Sequence, residues 1–290
     1  MNELGAVLIS GLVSGATYAL LGLGIVIIFR TTDVVNFAIG DFGMISVYVA
    51  FALLTHAGWP VVAGVIAAVL VSGALGVVTE RTVIRPLGPG RTFAALVLTL
   101  ALSLILVSVA GMLFGHTPQA FPVLVPGTVT LAGLVVAWQK IATAGLALVA
   151  MGVIAFFMRY TTLGIAMRAA AEDPYAAKVV GINRSLIAPL AWFIGCGLAG
   201  LAAVLLAPDA TLTVTLMVAP LFRAFAGVFL GGLQSMVGAA IGGFAIGVLD
   251  DLAGRYVSAS FRDTIVFGII VLVLFLRPAG LLATQRRERV

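Results

Sequence analysis

Apolar runs long enough to cross a hydrocarbon layer follow one another along almost the whole chain, with short polar stretches between them. The first covers residues 6–29 and closes at Arg30. The second, 34–54, is interrupted near its start by Asn36, Gly40 and Asp41. Further spans are predicted over 61–78, 93–114, 141–158 and 187–207, with a last, shortened one over 265–276. The run 221–249 is too long and too rich in glycine for one simple helix. Its middle reads Gly231-Gly232-Leu233-Gln234-Ser235, which predicts a broken helix. The pattern is therefore that of an all-α, polytopic integral membrane protein forming a single domain over residues 1–290. It has about eight transmembrane segments, including a re-entrant-like pair near 221–249.

Between the fifth and sixth spans, the stretch 159–186 stops looking like oil. It is mixed in charge and rich in alanine, long enough for two short helices and a turn. Glu172-Asp173-Pro174 supplies a helix start, with carboxylates near the positive end of the dipole and proline in the first turn. The helix is expected to run through Val180 and to stop at Gly181. A short helix lying flat on the membrane suits docking to a soluble partner.

Composition agrees with this division. The chain is 62% hydrophobic and 9% charged, far from the quarter of charged residues usual in soluble domains. The net charge of +5 sits in short loops, so it reads as a topology signal rather than as affinity for nucleic acid. Arg81, Arg85 and Arg91 place the third loop inside, and Arg159, Arg168, Lys178 and Arg184 do the same for the central loop. The basic tail then also lies inside if the 221–249 segment enters, breaks and returns to the same side. This parity leaves the N-terminus outside, and residues 208–219, with one acid and no basic residue, also read as outside. The region 115–140, with Pro118, Pro122 and Pro126, reads as an outer loop with room for a short hairpin, and 250–262 as a polar connection. The start of the chain, without a basic region or cleavage site, reads as a retained span. Cys196 is alone, and His56 and His116 stand apart in outer loops, so no metal site is expected. No Walker A, HExxH or GxSxG pattern is present, so ATP hydrolysis and membrane-protease chemistry have no residues in the sequence.

Four ordered blocks carry a resemblance. The first runs Ser10-Gly-Leu-Val-Ser-Gly-Ala-Thr-Tyr-Ala-Leu-Leu-Gly to Val35-Asn36-Phe37-Ala38-Ile39-Gly40-Asp41-Phe42. Glu80-Arg81 with Arg85-Pro86-Leu87 and Thr99 to Ser103 follow, then Arg168-Ala169, Asp173-Pro174, Ala176-Ala177 and Gly181-Ile182. Ala224-Phe225, Gly231-Gly232, Ser235, Gly238-Ala239 and Gly242-Gly243 come next, before Arg277-Pro278-Ala279-Gly280-Leu281. Together these resemble the permeases of branched-chain amino acid ABC importers, over essentially the whole chain. The resemblance implies a multi-pass subunit of a bacterial inner membrane, paired with a second homologous permease, two ATPase subunits and a periplasmic solute-binding protein. ATP and Mg would sit on the ATPases, leaving this chain with no cofactor and no catalytic residue. It also implies an ATPase-coupling loop that includes Arg168, Glu172, Asp173, Pro174, Tyr175, Ala176, Ala177 and Gly181, with Tyr175 where a Glu often stands. Ile39 replaces a polar residue, commonly His.

The candidate translocation residues are Asn36, Phe37, Ile39, Gly40, Asp41, Thr99, Ser103, Gly231, Gly232 and Ser235. Asp41 is an acid inside a span. Thr99 and Ser103, four apart, share one helix face. Gly231, Gly232 and Ser235 mark the expected break. The rival reading, an ion-coupled carrier or channel, needs an ionisable relay within the spans, and Asp41 alone qualifies there.

Overall fold

The computed structural model describes residues 2–88, 90–131, 134–258 and 261–276. Helix α1 (Asn2–Thr32) is the axis of the bundle. Leu20, Leu21, Ile25, Val26 and Ile28 on it are all buried, because α8 (Arg184–Leu206), α9 (Val218–Gly231) and α10 (Met236–Tyr256) pack around it. Small residues let the backbones approach closely where the hydrophobic effect gives no drive between helices. Gly11 lies against Val248 and Gly15 against Phe244, so α1 and α10 run antiparallel. Gly24 meets Gly195 between α1 and α8, and Gly227 meets Gly242 between α9 and α10. On the far side of α8 stands α3 (Val61–Thr79), where Ser72 donates to the Cys196 carbonyl at 2.6 Å. α4 (Thr92–Phe114) and α5 (Trp138–Tyr160) present outward apolar side chains such as Leu104, Met112 and Phe156.

Six of the described helices are long and apolar enough to cross a membrane. α2 (Ile39–Thr55) and α9 are shorter, and α11 (Arg262–Leu276) packs on α9 and α10. The short helices are half-crossings. After α1 ends, residues 33–38 run back into the bundle without helical structure, and α2 starts where Ile39 reaches Gly24. That is eight residues, or about 12 Å of helix, below the end of α1. The second half-crossing begins after α8. The stretch 208–219 is expected outside, and Thr211–Leu212 does pair with Gln119–Ala120 at the far end, but Val214, Leu216 and Met217 are buried, so the chain enters the bundle before α9 begins. The α9–α10 turn does fall at Gly232–Ser235, as the sequence predicts. It lies at the end of the bundle that holds Arg30, since Met236 and Arg30 line one small cleft. The discontinuity at mid-depth therefore precedes α9.

Two further corrections concern loop ends. The third loop, expected directly after the 61–78 span, starts later: the helix continues as a π turn over Glu80–Ile84 and a 3-10 turn over Arg85–Leu87. Glu80 is buried there and accepts from the Arg85 guanidinium at 3.2 and 3.3 Å. Residues 250–256 are helical, extending α10 into the expected polar connection. Short strands stand at the opposite end. β2 (Thr128–Leu131) and β3 (Leu134–Ala137) form the hairpin expected of the 115–140 region, and β1 (Gln119–Ala120) pairs with β4 (Thr211–Leu212). Beside them Glu3 pairs with Arg255 at 3.4 Å, which joins the starts of α1 and the end of α10.

Candidate functional site

The first seven candidate path residues assemble where the two half-helices begin. Asn36 caps the turn, its Oδ1 accepting from the Ala38 amide at 3.0 Å. Thr99 reaches across from α4: its hydroxyl accepts from the Phe37 amide at 3.3 Å, with the Val35 carbonyl at 3.2 Å and Leu96 at 3.0 Å as alternative acceptors. Ser103, one turn further along, stands beside the Asp41 carboxyl. The shared face of Thr99 and Ser103 thus meets the non-helical entry to α2. Phe37 packs on Phe225 of α9 with the rings tilted by 33° and their centroids 4.9 Å apart. Gly40 lies against Met217 and Leu221, the opening of α9. A side chain at Gly40 would press on that contact. Ile39 is fully buried and faces Gly24.

Gly231, Gly232 and Ser235 are not brought to this place. Gly231 packs backbone to backbone on Gly238, and Ser235 Oγ accepts from the Gly238 amide at 2.9 Å to cap α10. Gly232, at φ +103°, makes the turn between the two helices. Close packing and capping account for all three.

The loop after α5 has the shape its sequence predicts. Thr161 caps α6 (Thr162–Glu172), accepting from Gly164 at 3.0 Å. Asp173 caps α7 (Pro174–Val179), its Oδ1 accepting from the Tyr175 and Ala176 amides, both at 2.9 Å. At the other end the Ile182 amide returns to the Ala177 carbonyl at 2.9 Å and Gly181 to Lys178 at 3.1 Å. This closure needs a left-handed residue, and Gly181 sits at φ +85°. Met167, Ala170 and Ala177 anchor the pair on the bundle, while Tyr175, Val179 and Val180 project outward. Arg168 shares the cleft of Arg30, Met158 and Met236, and Glu172 is close enough to Arg30 to act on its charge.

One cluster escaped the sequence reading. Asp250, fully buried in α10, receives two hydrogen bonds from the Arg262 guanidinium, both at 2.6 Å, and one from the Tyr18 hydroxyl at 3.3 Å. Arg223 Nε lies 3.1 Å from Asp250 Oδ1 without hydrogen-bond alignment, so that contact is ionic. Arg223 also donates to Asp263 at 2.7 Å, and Arg262 to Asp251. Asp41 is thus not the only ionisable group among the crossing helices. The signal was an arginine four residues after Ala219 inside an apolar run, read through because Asp250 looked like the start of a loop. Every charge in this cluster has an opposite partner, so it ties α1, α9, α10 and α11 together.

The family model described as branched-chain amino acid transport system / permease component matches residues 7–274. The chain belongs to this family. The permease is 30% identical to the high-affinity branched-chain amino acid transport system permease protein BraD of Pseudomonas aeruginosa, over 98% of this chain and 97% of that protein. To the corresponding LivH protein of Escherichia coli K12 it is 29% identical, over 97% and 96%. The permease also shares its fold with a chain of PsaBC from Streptococcus pneumoniae, solved in complex with Fab. The TM-score is 0.51 at 17% identity, over 97% of this chain and 92% of that one.

Proposed function

We propose that this permease forms half of the path of an ABC importer for branched-chain or other apolar amino acids in a bacterial inner membrane. A second homologous permease would complete the path, two ATPase subunits would bind and hydrolyse ATP with Mg, and a periplasmic binding protein would deliver the solute. The observation that carries the reading is the family match over 7–274 combined with the α6–α7 pair. That pair is short, capped at both ends and outward-facing, with the buried Ala177 and Met167 fixing it to the bundle. Such a body moves as a unit when a docked ATPase moves. Arg30, Arg85, Arg91 and Arg168 share this end of the bundle, which the positive-inside rule assigns to the cytoplasm. The N-terminus then faces the periplasm. The path runs past Asn36, Phe37, Ile39, Gly40, Asp41, Thr99 and Ser103, where non-helical backbone at mid-depth is tolerated because it lines the route of a polar solute.

Co-expression with the genomic neighbours and purification through this chain tests the reading. The ATPases are expected to co-purify with the natural chain. They are expected to be lost with Asp173→Arg, which removes the α7 cap and puts a cation at its positive end, and with Gly181→Trp, which strains the left-handed closure. A chain that purifies alone and carries solute in liposomes without ATP overturns the importer reading.

A further inference from the structure

Two polar atoms at the start of α2 are sealed from solvent and unmatched, beside an Asn36 Oδ1 that takes the Ala38 amide and a Ser103 that adjoins the Asp41 carboxyl. Asn36 Nδ2 and Asp41 Oδ2 have no hydrogen-bond partner, although Asn36 is 1% and Asp41 5% exposed. A buried polar group left unpaired costs about 1–3 kcal/mol, and more when charged. Two such groups of opposite character flank the start of α2 and therefore ask for a function. Asn36 Nδ2 is a donor held at the N-terminus of α2, because the same amide's Oδ1 takes the Ala38 amide. Asp41 Oδ2 is an anionic acceptor in that first turn.

A second N-terminus converges here. α9 opens against Gly40 through Met217 and Leu221, and neither α2 nor α9 carries a side-chain cap at its start. α2 leaves this point toward the strand end of the bundle and α9 toward the α6–α7 end, so both positive dipole ends meet at mid-depth. Each is worth roughly half a positive charge. Together they offset the one carboxylate, Asp41. A lone anion or a lone cation placed here would upset that balance, whereas a zwitterion would preserve it. The surrounding side chains, Phe37, Ile39, Leu221 and Phe225, are apolar.

We infer that the junction of α2 and α9 is a zwitterion site: Asp41 takes the ammonium of an aliphatic α-amino acid, and Asn36 Nδ2 with the helix N-termini takes its carboxylate. The inference rests on the importer reading and sharpens it, since it selects amino acids over urea and short neutral amides. Phe37 and Phe225 supply the apolar surface against which the aliphatic side chain would lie.

The test uses the purified complex with its companion permease and ATPases, without the binding protein. Saturation-transfer NMR reads the affinity for three probes of one skeleton: L-leucine, 4-methylpentanoate and 3-methylbutylamine. Leucine is expected to bind saturably and at least about tenfold more tightly than either singly charged probe. Asp41→Asn should cost leucine about tenfold or more while leaving 4-methylpentanoate as good as before. Asn36→Asp keeps the Ala38 cap, exchanges the donor for an anion, and should shift preference toward 3-methylbutylamine. Equal loss of all three probes in both variants, leucine binding unchanged by Asp41→Asn, or no saturable binding of any probe overturns the inference. Co-purification of the ATPases with each variant reports separately on the importer reading, which the probe affinities do not touch.

Discussion

Asp250→Ala is expected to lower the stability of the purified permease by about 3 kcal/mol or more, the scale for breaking a buried ion pair by removing one partner. The carboxylate is fully buried and satisfies Arg262 through two hydrogen bonds while neutralising Arg223, itself largely buried. Removing it leaves two guanidinium groups facing each other across the α9–α10–α11 junction. Asp251 and Asp263 stay behind but cannot replace it, because each engages only one arginine. Asp263→Ala is the matched comparison. Its side chain is 63% exposed, and the loss of such a pair is worth within about 1 kcal/mol. Thermal unfolding in detergent, followed by far-ultraviolet circular dichroism, measures both. Similar losses from the two variants would show that the junction is not held by Asp250.

The same cluster marks the limit of what the sequence discloses. Long apolar runs identify membrane helices because the hydrocarbon layer sets their length, and the spans around α1, α4, α5 and α8 were legible for that reason. Local chemistry also reads directly: Asp173-Pro174 starts α7 and Gly181 ends it, as the caps require. Depth is harder. Leu212, Val214 and Leu216 alternate with threonines, a period-two signal of a buried extended segment, but without charges the stretch also resembles an outer loop. Partnership is harder still. Arg223 and Asp250 lie far apart in sequence and meet only because α9 and α10 fold back on each other at Gly232, so a polar residue in a run does not announce its mate. The candidate site divided along this line. Asn36 to Asp41, Thr99 and Ser103 come together because the break between α1 and α2 leaves a Phe37 amide and a Val35 carbonyl that the Thr99 hydroxyl meets. The Gly231 to Ser235 signal was equally visible, yet the same small residues serve a helical hairpin.

Gly243→Leu is expected to be still more damaging, because it acts on the seam that sets the depth of everything else. A Cβ added at Gly243 would lie 2.5 Å from the Cα and backbone nitrogen of Ala19 on α1, a separation that side chains do not tolerate. The obstacle is backbone, so no rotamer change relieves it, and α10 must move away from α1. Gly15 and Gly11 sit on the facing side of the same seam, each in backbone contact with α10. Overpacking of a well-packed core costs about 1–3 kcal/mol even where side chains can shift. Here the shift must separate two helices, and it carries α9 with it through the Gly227–Gly242 contact. Displacing α9 withdraws Met217 and Leu221 from Gly40, so loss of transport should accompany loss of stability. Gly152→Ala on α5 is the control. Nothing lies within 4 Å of a Cβ there, and alanine is the better helix former by about 1 kcal/mol. That variant should melt at or above the temperature of the natural chain and retain its uptake. If Gly243→Leu assembles, melts and transports like Gly152→Ala, then α1 and α10 do not meet along their glycines, and the half-helix junction is positioned by something other than this seam.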